Sequence, residues 1–311
     1  MTHIVILKIG NKRATWWKEH MSALLPDFKF FLAHETVDKK SVEFAIVWQP
    51  DPGWLKTFPN LKCIISVGAG IDHILNDPQL PTHIPIIRTT GKDLSTRMRE
   101  YVVLHVLRLH RNLPEIEIGQ EFQEWRQIIE PPATERNIGI MGLGNLGADC
   151  ARALSAIGFN VSGWSRSEKK IESITCFWGA DGRNKLLEKS HIIVCMLPLT
   201  PHTEGILNSE LFSHLPKGAS IINVARGEHL VEADLLKALS SGQLSAATLD
   251  VFREEPLPQK HPFWDHKNIL VTPHVASLID PVAGGKSIAK NLKNFIRGVH
   301  IENLIPPGKD Y

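Results

Sequence analysis

What the 311-residue chain lacks narrows what it can be. No apolar run approaches the roughly 18 residues of a membrane-spanning helix, so no membrane partner is expected. Charge of one sign is missing too. Lys and Arg number 35 against 33 acids, a net charge of +2, which gives no global reason to expect nucleic acid or an anionic surface. Arg166, Lys169 and Lys170 form the one local basic patch that stands out. The four cysteines, Cys63, Cys150, Cys176 and Cys195, are scattered without metal-ligand spacing. They read as reduced thiols of a cytoplasmic protein with no metal site. The N-terminus, Met1–Leu7, turns strand-like too early for a signal peptide. No fixed-period repeat or low-complexity segment appears.

What is present alternates. Hydrophobic residues make up 43%, enough for ordinary cores, and the length suggests two domains. Short β-branched runs at Ile4–Leu7, Phe44–Val47, Cys63–Val67 and Ile84–Arg88 predict strands, with a helix near Thr15–Leu25. A longer helix is predicted over Leu94–Leu109, where Leu94, Met98, Tyr101, Val102, His105, Val106 and Leu109 recur at helical spacing and Asp93 or Ser95 suits the cap. The segment Glu115–Glu130 reads as a polar helix carrying Ile116, Phe122 and Trp125, ended by Pro131-Pro132, and suggests a surface that meets another subunit. A second series has strands at Ile138–Met141, Asn160–Trp164, Ile192–Met196, Ser220–Val224, Ala246–Asp250 and Ile269–Val271, and a helix over Val282–Arg297 closes the chain. This alternation predicts an α/β protein with parallel sheets.

Gly142, Gly144 and Gly147 stand as G-x-G-x-x-G between a predicted strand and a predicted helix. A diphosphate needs that combination. The first glycine permits the tight turn, the second lets backbone approach the phosphates, and the third lets helix and strand pack closely. N–H groups at the helix start then face the anion. The bland alternative is a plain strand-to-helix turn. About twenty residues on, where an acid usually binds the adenosine ribose, Ser165 and Arg166 stand instead. A serine does not repel a 2′-phosphate and can donate to it, and a guanidinium binds phosphate well. With Ser167 and Lys169 nearby, the pattern favours NADPH, with NADH as the weaker alternative. Here the bland alternative is a solvated charged loop.

Three polar sites follow later strands: Arg226, the acids Glu254 and Glu255, and His274. Ligands of open α/β sheets gather beyond the carboxyl ends of the strands. A 2-oxo acid needs its carboxylate held, its carbonyl polarised and a proton delivered. Arg226 suits the first two tasks, His274 the third, and a carboxylate beside the imidazole would orient it. Taken singly, each has an ordinary reading: a surface arginine, a charged turn before Pro256, a capping or core histidine.

Taken together with Leu197-Pro-Leu-Thr-Pro-His-Thr203, Asn223–Gly227, Asp250–Pro256, Thr272-Pro-His274 and Ser66–Asp72, the motifs resemble the D-isomer-specific 2-hydroxyacid dehydrogenases. Val47–Pro50, the Gly-Ala-Gly loop and Trp164-Ser-Arg166 resemble the glyoxylate/hydroxypyruvate reductase A subgroup. The resemblance implies two doubly wound parallel-sheet domains, a Rossmann cofactor domain inserted into a flavodoxin-like substrate domain. Residues 1–97 and 280–311 would form the substrate domain. Residues 98–279 would bind NADP, with 112–132 as a dimer arm and hinges near Leu94 and Asp280. Arg226, Glu255 and His274 fall on the catalytic positions, Arg226 and His274 also touching substrate. Gly142, Gly144, Asn145, Leu146, Gly147, Trp164, Ser165, Arg166, Ser167, Leu197, Pro198, Thr203, Val224, Ala225 and Asp250 fall on cofactor positions, Asp250 near the nicotinamide. Val67, Gly68, Ala69 and Gly70 would offer N–H groups to the substrate carboxylate, and Trp48 would line its pocket. Trp125 would lie in the arm of a homodimer and reach toward the neighbouring subunit's site. Two departures concern Gly10–Trp17, expected to be irregular, and the basic stretch Thr90–Arg99, where Arg97 or Arg99 would face substrate or nicotinamide. The implied reaction is NADPH-dependent reduction of small 2-oxo acids, glyoxylate and hydroxypyruvate first. The rivals are a reductase of bulkier 2-oxo acids and a dinucleotide-sensing interaction protein on the same fold.

Overall fold

The computed structural model describes residues 2–301 and 303–308; the remaining positions of the expected first domain lie outside the described residues. The chain forms two compact units, Met1–Leu94 with Ile279–Tyr311, and Ser95–Leu278. In chain order the first unit begins with β1 (His3–Lys8), α1 (Asn11–Leu24), β2 (Phe28–Leu32), β3 (Val42–Val47), β4 (Cys63–Ser66), α2 (Asp72–Leu75) and β5 (Ile86–Arg88). The helix α3 (Lys92–His110) leads into the second unit, which continues with α4 (Leu113–Glu121), β6 (Asn137–Met141), α5 (Asn145–Ile157), β7 (Asn160–Ser165), β8 (Thr175–Trp178), α6 (Gly179–Leu187) and β9 (Ile192–Cys195). It ends with α7 (Ser209–His214), β10 (Ala219–Asn223), α8 (Glu232–Ser240), β11 (Leu244–Leu249) and β12 (Ile269–Val271). The chain returns to the first unit through α9 (Pro281–Ile296) and β13 (Leu304–Ile305).

The first sheet has the order β13-β5-β4-β3-β1-β2. Its five parallel strands follow the flavodoxin-like winding, and β13 adds an antiparallel edge. Successive residues of a strand enter different cores. Val5, Leu7, Phe44, Ile46, Cys63 and Ile65 pack in one cluster, and Ile6, Ala45, Val47 and Ile64 in another. Both faces are therefore covered, which is why these strands read as continuous apolar runs. The second sheet has the order β12-β11-β10-β9-β6-β7-β8, all parallel. Its winding reverses between β6 and β9, the dinucleotide-type switch point. The same division holds: Ile193, Cys195 and Ile221 lie on one face, Ile192, Val194 and Ile222 on the other.

Several local expectations need correction. The segment expected to be irregular near Gly10–Trp17 is the start of a regular 14-residue helix, α1. Ala14, Trp17 and Met21 are buried. A β-carbon at Gly284 or Gly285 of α9 would meet Ile279, Trp17 or His20 at 2.4–3.3 Å. The helix is held by a close packing partner about 270 positions away, invisible in its local pattern. The expected helix over Glu115–Glu130 ends at Glu121. Gln123 takes φ +59° and the Glu124 N–H turns back to the Gly119 carbonyl at 2.7 Å, which stops helical propagation. The long helix starts at Lys92, so Asp93 lies in its first turn rather than before it. Strands β2, β8 and β13 had no counterpart in the sequence reading. Among the described residues, no helix is long and apolar enough to cross a membrane.

Candidate active site

The loops after β6, β7, β9, β10, β11 and β12 carry the residues that the sequence singled out in the second unit. At the first, Gly142 has φ +109°, a backbone state open to glycine, and a β-carbon there would meet the Met196 carbonyl at 2.6 Å. A β-carbon at Gly147 would fall 1.9 Å from the Gly142 carbonyl oxygen, so α5 starts this close to the turn only because both are glycine. At Gly144 the added carbon would meet nothing within 4 Å. Space stands open where a phosphate would approach the backbone, and the first N–H groups of α5, from Asn145 to Gly147, have no intrahelical acceptor. These residues fit a dinucleotide.

At the end of β7, the Trp164 indole N–H donates to the Gly179 carbonyl at 2.7 Å, tying that strand to the start of α6. Ser165 is buried and donates to the Ser167 carbonyl at 2.7 Å, which makes the turn compact. Arg166, Ser167 and Lys169 are exposed beside it, and no carboxylate occupies the strand end. After β9, Leu197 is buried and Pro198–Thr203 folds on itself. The Thr203 hydroxyl donates to the Pro198 carbonyl at 2.7 Å and accepts the Thr200 N–H at 2.8 Å.

The β10 loop presents Arg226 through its backbone wiring. Asn223 is fully buried; its side chain accepts from the Ala225 N–H at 3.1 Å and donates to the Arg226 carbonyl at 2.9 Å. Val224 and Ala225 are buried beneath it, and the Arg226 guanidinium donates to the Ala225 carbonyl at 2.6 Å. His229 is a residue the sequence reading passed over. It is fully buried, with Nδ1 3.2 Å from the Arg226 N–H and Nε2 3.3 Å from the Pro198 carbonyl. It thereby links the β9 and β10 loops. A single histidine three places after an arginine carries no local signal of that role.

The β11 and β12 loops supply the acid and the imidazole. His274 Nδ1 lies 2.7 Å from Glu255 Oε2, with side chains 33% and 28% exposed, so the pair is shielded yet reachable. The Phe252 N–H donates to Glu255 Oε1 at 3.0 Å. Burial by itself pushes the Glu255 carboxyl up. The His274 hydrogen bond and charge, the Phe252 N–H and the Arg226 charge outweigh it and hold the group below the usual carboxylate range. His274 sits at φ +54°, in the left-handed region that few histidines adopt. Of the two adjacent acids Glu254 and Glu255, the one directly before Pro256 meets the imidazole.

Asp250 proves to be a buried fixture, 1% exposed. It accepts from the Thr272 hydroxyl at 2.6 Å and from the Val275 and Ala276 N–H groups at 2.9 and 2.8 Å. Its own carbonyl accepts the His274 N–H at 2.9 Å. Burial pushes its carboxyl up more than these bonds lower it. Arg99 is likewise committed: it pairs with Asp149 of α5 at 3.1 Å. Arg97 is exposed.

In the first unit, the turn after β4 holds Val67, Gly68, Ala69 and Gly70. The Val67 N–H extends the sheet ladder to the Val47 carbonyl at 3.2 Å and so is not available to a ligand, contrary to expectation. The Gly68 N–H points to Ser66 Oγ at 3.3 Å. The N–H groups of Ala69 and Gly70 have no acceptor among the described residues. Ser66 braces the turn by donating to the Gly70 carbonyl at 3.0 Å, and buried Thr89 donates to the Ser66 carbonyl at 2.6 Å. Trp48 lies over Gly68, where a β-carbon would meet its ring at 2.6 Å, and against His73 with ring centres 4.5 Å apart.

A Rossmann-type unit with a glycine turn at its switch point, and an arginine, a glutamate and a histidine on the adjoining loops, defines a nicotinamide-dinucleotide-dependent oxidoreductase. Comparison with known proteins narrows this. Residues 103–276 match the family model of the D-isomer specific 2-hydroxyacid dehydrogenase NAD binding domain. The chain is 42% identical over 281 residues to glyoxylate/hydroxypyruvate reductase A of Serratia proteamaculans, covering 89% of this chain and 90% of that one. Among solved structures it resembles a D-isomer specific 2-hydroxyacid dehydrogenase from Xanthobacter autotrophicus Py2 in complex with NADPH and MES, at 38% identity, TM-score 0.92 and 99% of each chain. It also resembles an NADPH-dependent glyoxylate/hydroxypyruvate reductase from Sinorhizobium meliloti in complex with NADP and sulfate, at 36% identity, TM-score 0.91 and 98% of each chain. The chain belongs to the D-isomer specific 2-hydroxyacid dehydrogenase family.

Proposed function

We propose that this enzyme reduces small 2-oxo acids with NADPH, taking glyoxylate to glycolate and hydroxypyruvate to glycerate. The observation that carries the chemistry is the 2.7 Å contact between His274 and Glu255, on loops adjoining Arg226. Bound NADPH supplies the hydride that the carbonyl carbon receives. Arg226 binds the substrate's oxygens by charge-assisted hydrogen bonds. Glu255 accepts the Nδ1–H of His274 and fixes the ring, so Nε2 is the nitrogen that delivers a proton to the carbonyl oxygen. The N–H groups of Ala69 and Gly70 are assigned to the substrate carboxylate, and Trp48 to its side chain. The first unit is accordingly the substrate domain and the second the NADP domain.

Ser165 and Arg166, with no acid at the β7 end, support NADPH over NADH, as do the names of similar proteins, which bind NADPH or NADP. The relatives named glyoxylate/hydroxypyruvate reductase A support the small substrates over bulkier ones. The segment after α4 leaves Trp125 91% and Ile129 97% exposed, which supports residues 112–132 as the arm of a homodimer. The deciding test is the initial rate of NADPH and NADH oxidation by the purified protein with glyoxylate and with hydroxypyruvate. Rapid turnover with NADPH alone is expected. Equal use of NADH would refute the phosphate pocket, and no turnover with either acid would favour the dinucleotide-sensing reading.

A further inference from the structure

Tyr101 reads in the sequence as one more apolar position of a helix. Its ring does lie partly buried on α3, against that of His105 with centres 4.1 Å apart. Its hydroxyl, however, reaches across the unit to Thr272 Oγ1 at 2.6 Å. Thr272 Oγ1 in turn lies 2.6 Å from Asp250 Oδ1.

The direction of this chain follows from what each group can do. An ionised carboxylate only accepts, so the Thr272 hydroxyl proton points to Asp250. Thr272 Oγ1 then has lone pairs but no proton left for tyrosine, and Tyr101 must donate. Burial pushes the Tyr101 hydroxyl well above the usual phenol range, which keeps that proton in place. Aligned donors of this kind strengthen one another in a buried setting.

Asp250 is where the chain meets the site. Its carboxylate holds the N–H groups of Val275 and Ala276, the two residues after His274, and Thr272 two residues before it. Its carbonyl holds the His274 N–H itself. Four bonds to one residue thus clamp a turn whose histidine stands at φ +54°. Strained conformations persist only where the surroundings over-determine them. The geometry points to Tyr101 as a positioning residue for the proton donor: through Thr272 and Asp250, its hydroxyl holds the His274 turn in the state that lets the ring meet Glu255. This rests on the reading of His274 as the general acid.

The test uses the whole enzyme with NADPH and glyoxylate, and compares Tyr101→Phe, Thr272→Val, Thr272→Ser, the double variant Y101F/T272V and His274→Asn. Four quantities are read: kcat, KM, dinucleotide affinity without substrate, and Tm. Tyr101→Phe keeps the ring and removes one hydroxyl. It is expected to lower kcat by about tenfold through misplacement of the proton donor, with KM and dinucleotide affinity within about twofold. Thr272→Ser should restore most of the rate lost in Thr272→Val. The double variant should be no slower than Thr272→Val alone, because both changes cut the same chain. Turnover of Tyr101→Phe at the parent rate, with or without a lower Tm, would overturn the inference, as would additive losses in the double variant. If Tyr101→Phe does not fold, the Thr272 pair decides: a serine variant as slow as the valine one refutes it. His274→Asn separates the two levels. Should it keep the parent rate, the general-acid reading falls and this inference with it; should it lose the rate while Tyr101→Phe keeps it, only the inference falls.

Discussion

Gly227→Ala is the substitution whose consequence the structure determines most sharply. Gly227 follows Arg226, and its α-carbon faces the backbone of the β11 loop that carries Glu255. A β-carbon there would lie 1.9 Å from the Phe252 carbonyl carbon, 2.2 Å from the Arg253 nitrogen and 2.3 Å from the Phe252 oxygen. Ordinary carbon contacts stand at about 3.5–4.0 Å, so relieving the 1.9 Å contact takes a separation of about 1.6–2.1 Å. No positive φ is involved, and the cost is collision alone. Overpacking of this kind destabilises by about 1–3 kcal/mol, or roughly 3–10 °C in Tm for a unit of this size. The separation moves Arg226 away from the His274–Glu255 pair, and a displacement of about 1 Å in a reacting constellation costs about a hundredfold in rate, close to 2.7 kcal/mol of barrier. Thermal unfolding and steady-state reduction of glyoxylate by NADPH measure the two effects. The glycine turn at Gly142–Gly147 is untouched, so dinucleotide affinity should change little. A variant with the parent Tm and kcat would refute the reasoning, because it would mean that the loops are not in contact as described.

Four further outcomes are expected. Glu255→Gln should lower kcat by about ten- to a thousandfold, since the amide keeps the shape but not the carboxylate that accepts the Nδ1–H and orients the ring. Glu255 has a depressed carboxyl in the folded state, so its ion pair contributes stability above the free carboxylate's range and loses it as pH falls through the lowered value. The Tm gap between parent and Glu255→Gln should therefore be largest near neutral pH and close in acid; a gap constant down to pH 3 would contradict this. Arg166→Ala should weaken NADPH at least about tenfold while leaving NADH nearly unchanged, in a titration of each dinucleotide, if the guanidinium meets the 2′-phosphate; an equal loss for both would assign Arg166 elsewhere. Trp125→Glu, with Ile129→Glu, should convert a dimer to a monomer in sedimentation analysis, and an unchanged mass would remove residues 112–132 from the interface.

Period and punctuation in the chain determined much of this protein. Strands buried on both faces read as unbroken apolar runs, and the glycine turn announced its strand and helix because each glycine answers a local steric demand. Arg226, Glu255 and His274 were legible as polar residues just past such runs, since a strand's end lies next to the apolar segment that marks it. The tertiary structure alone decided what depends on partners distant in sequence. The helix α1 exists because α9 offers two adjacent glycines to its Trp17 and His20. The Val67 N–H is spent in the sheet, Arg99 is paired with Asp149, and buried His229 joins two loops, facts set by the winding order rather than by neighbours in the chain. Asp250 carried an acid's signature in the sequence, but its burial and the three hydrogen bonds its carboxylate accepts are what turn it into the clamp of the His274 turn. Local sterics and hydrophobicity act over a few residues and leave a pattern there; a hydrogen bond closed across a sheet edge leaves none until the sheet has formed.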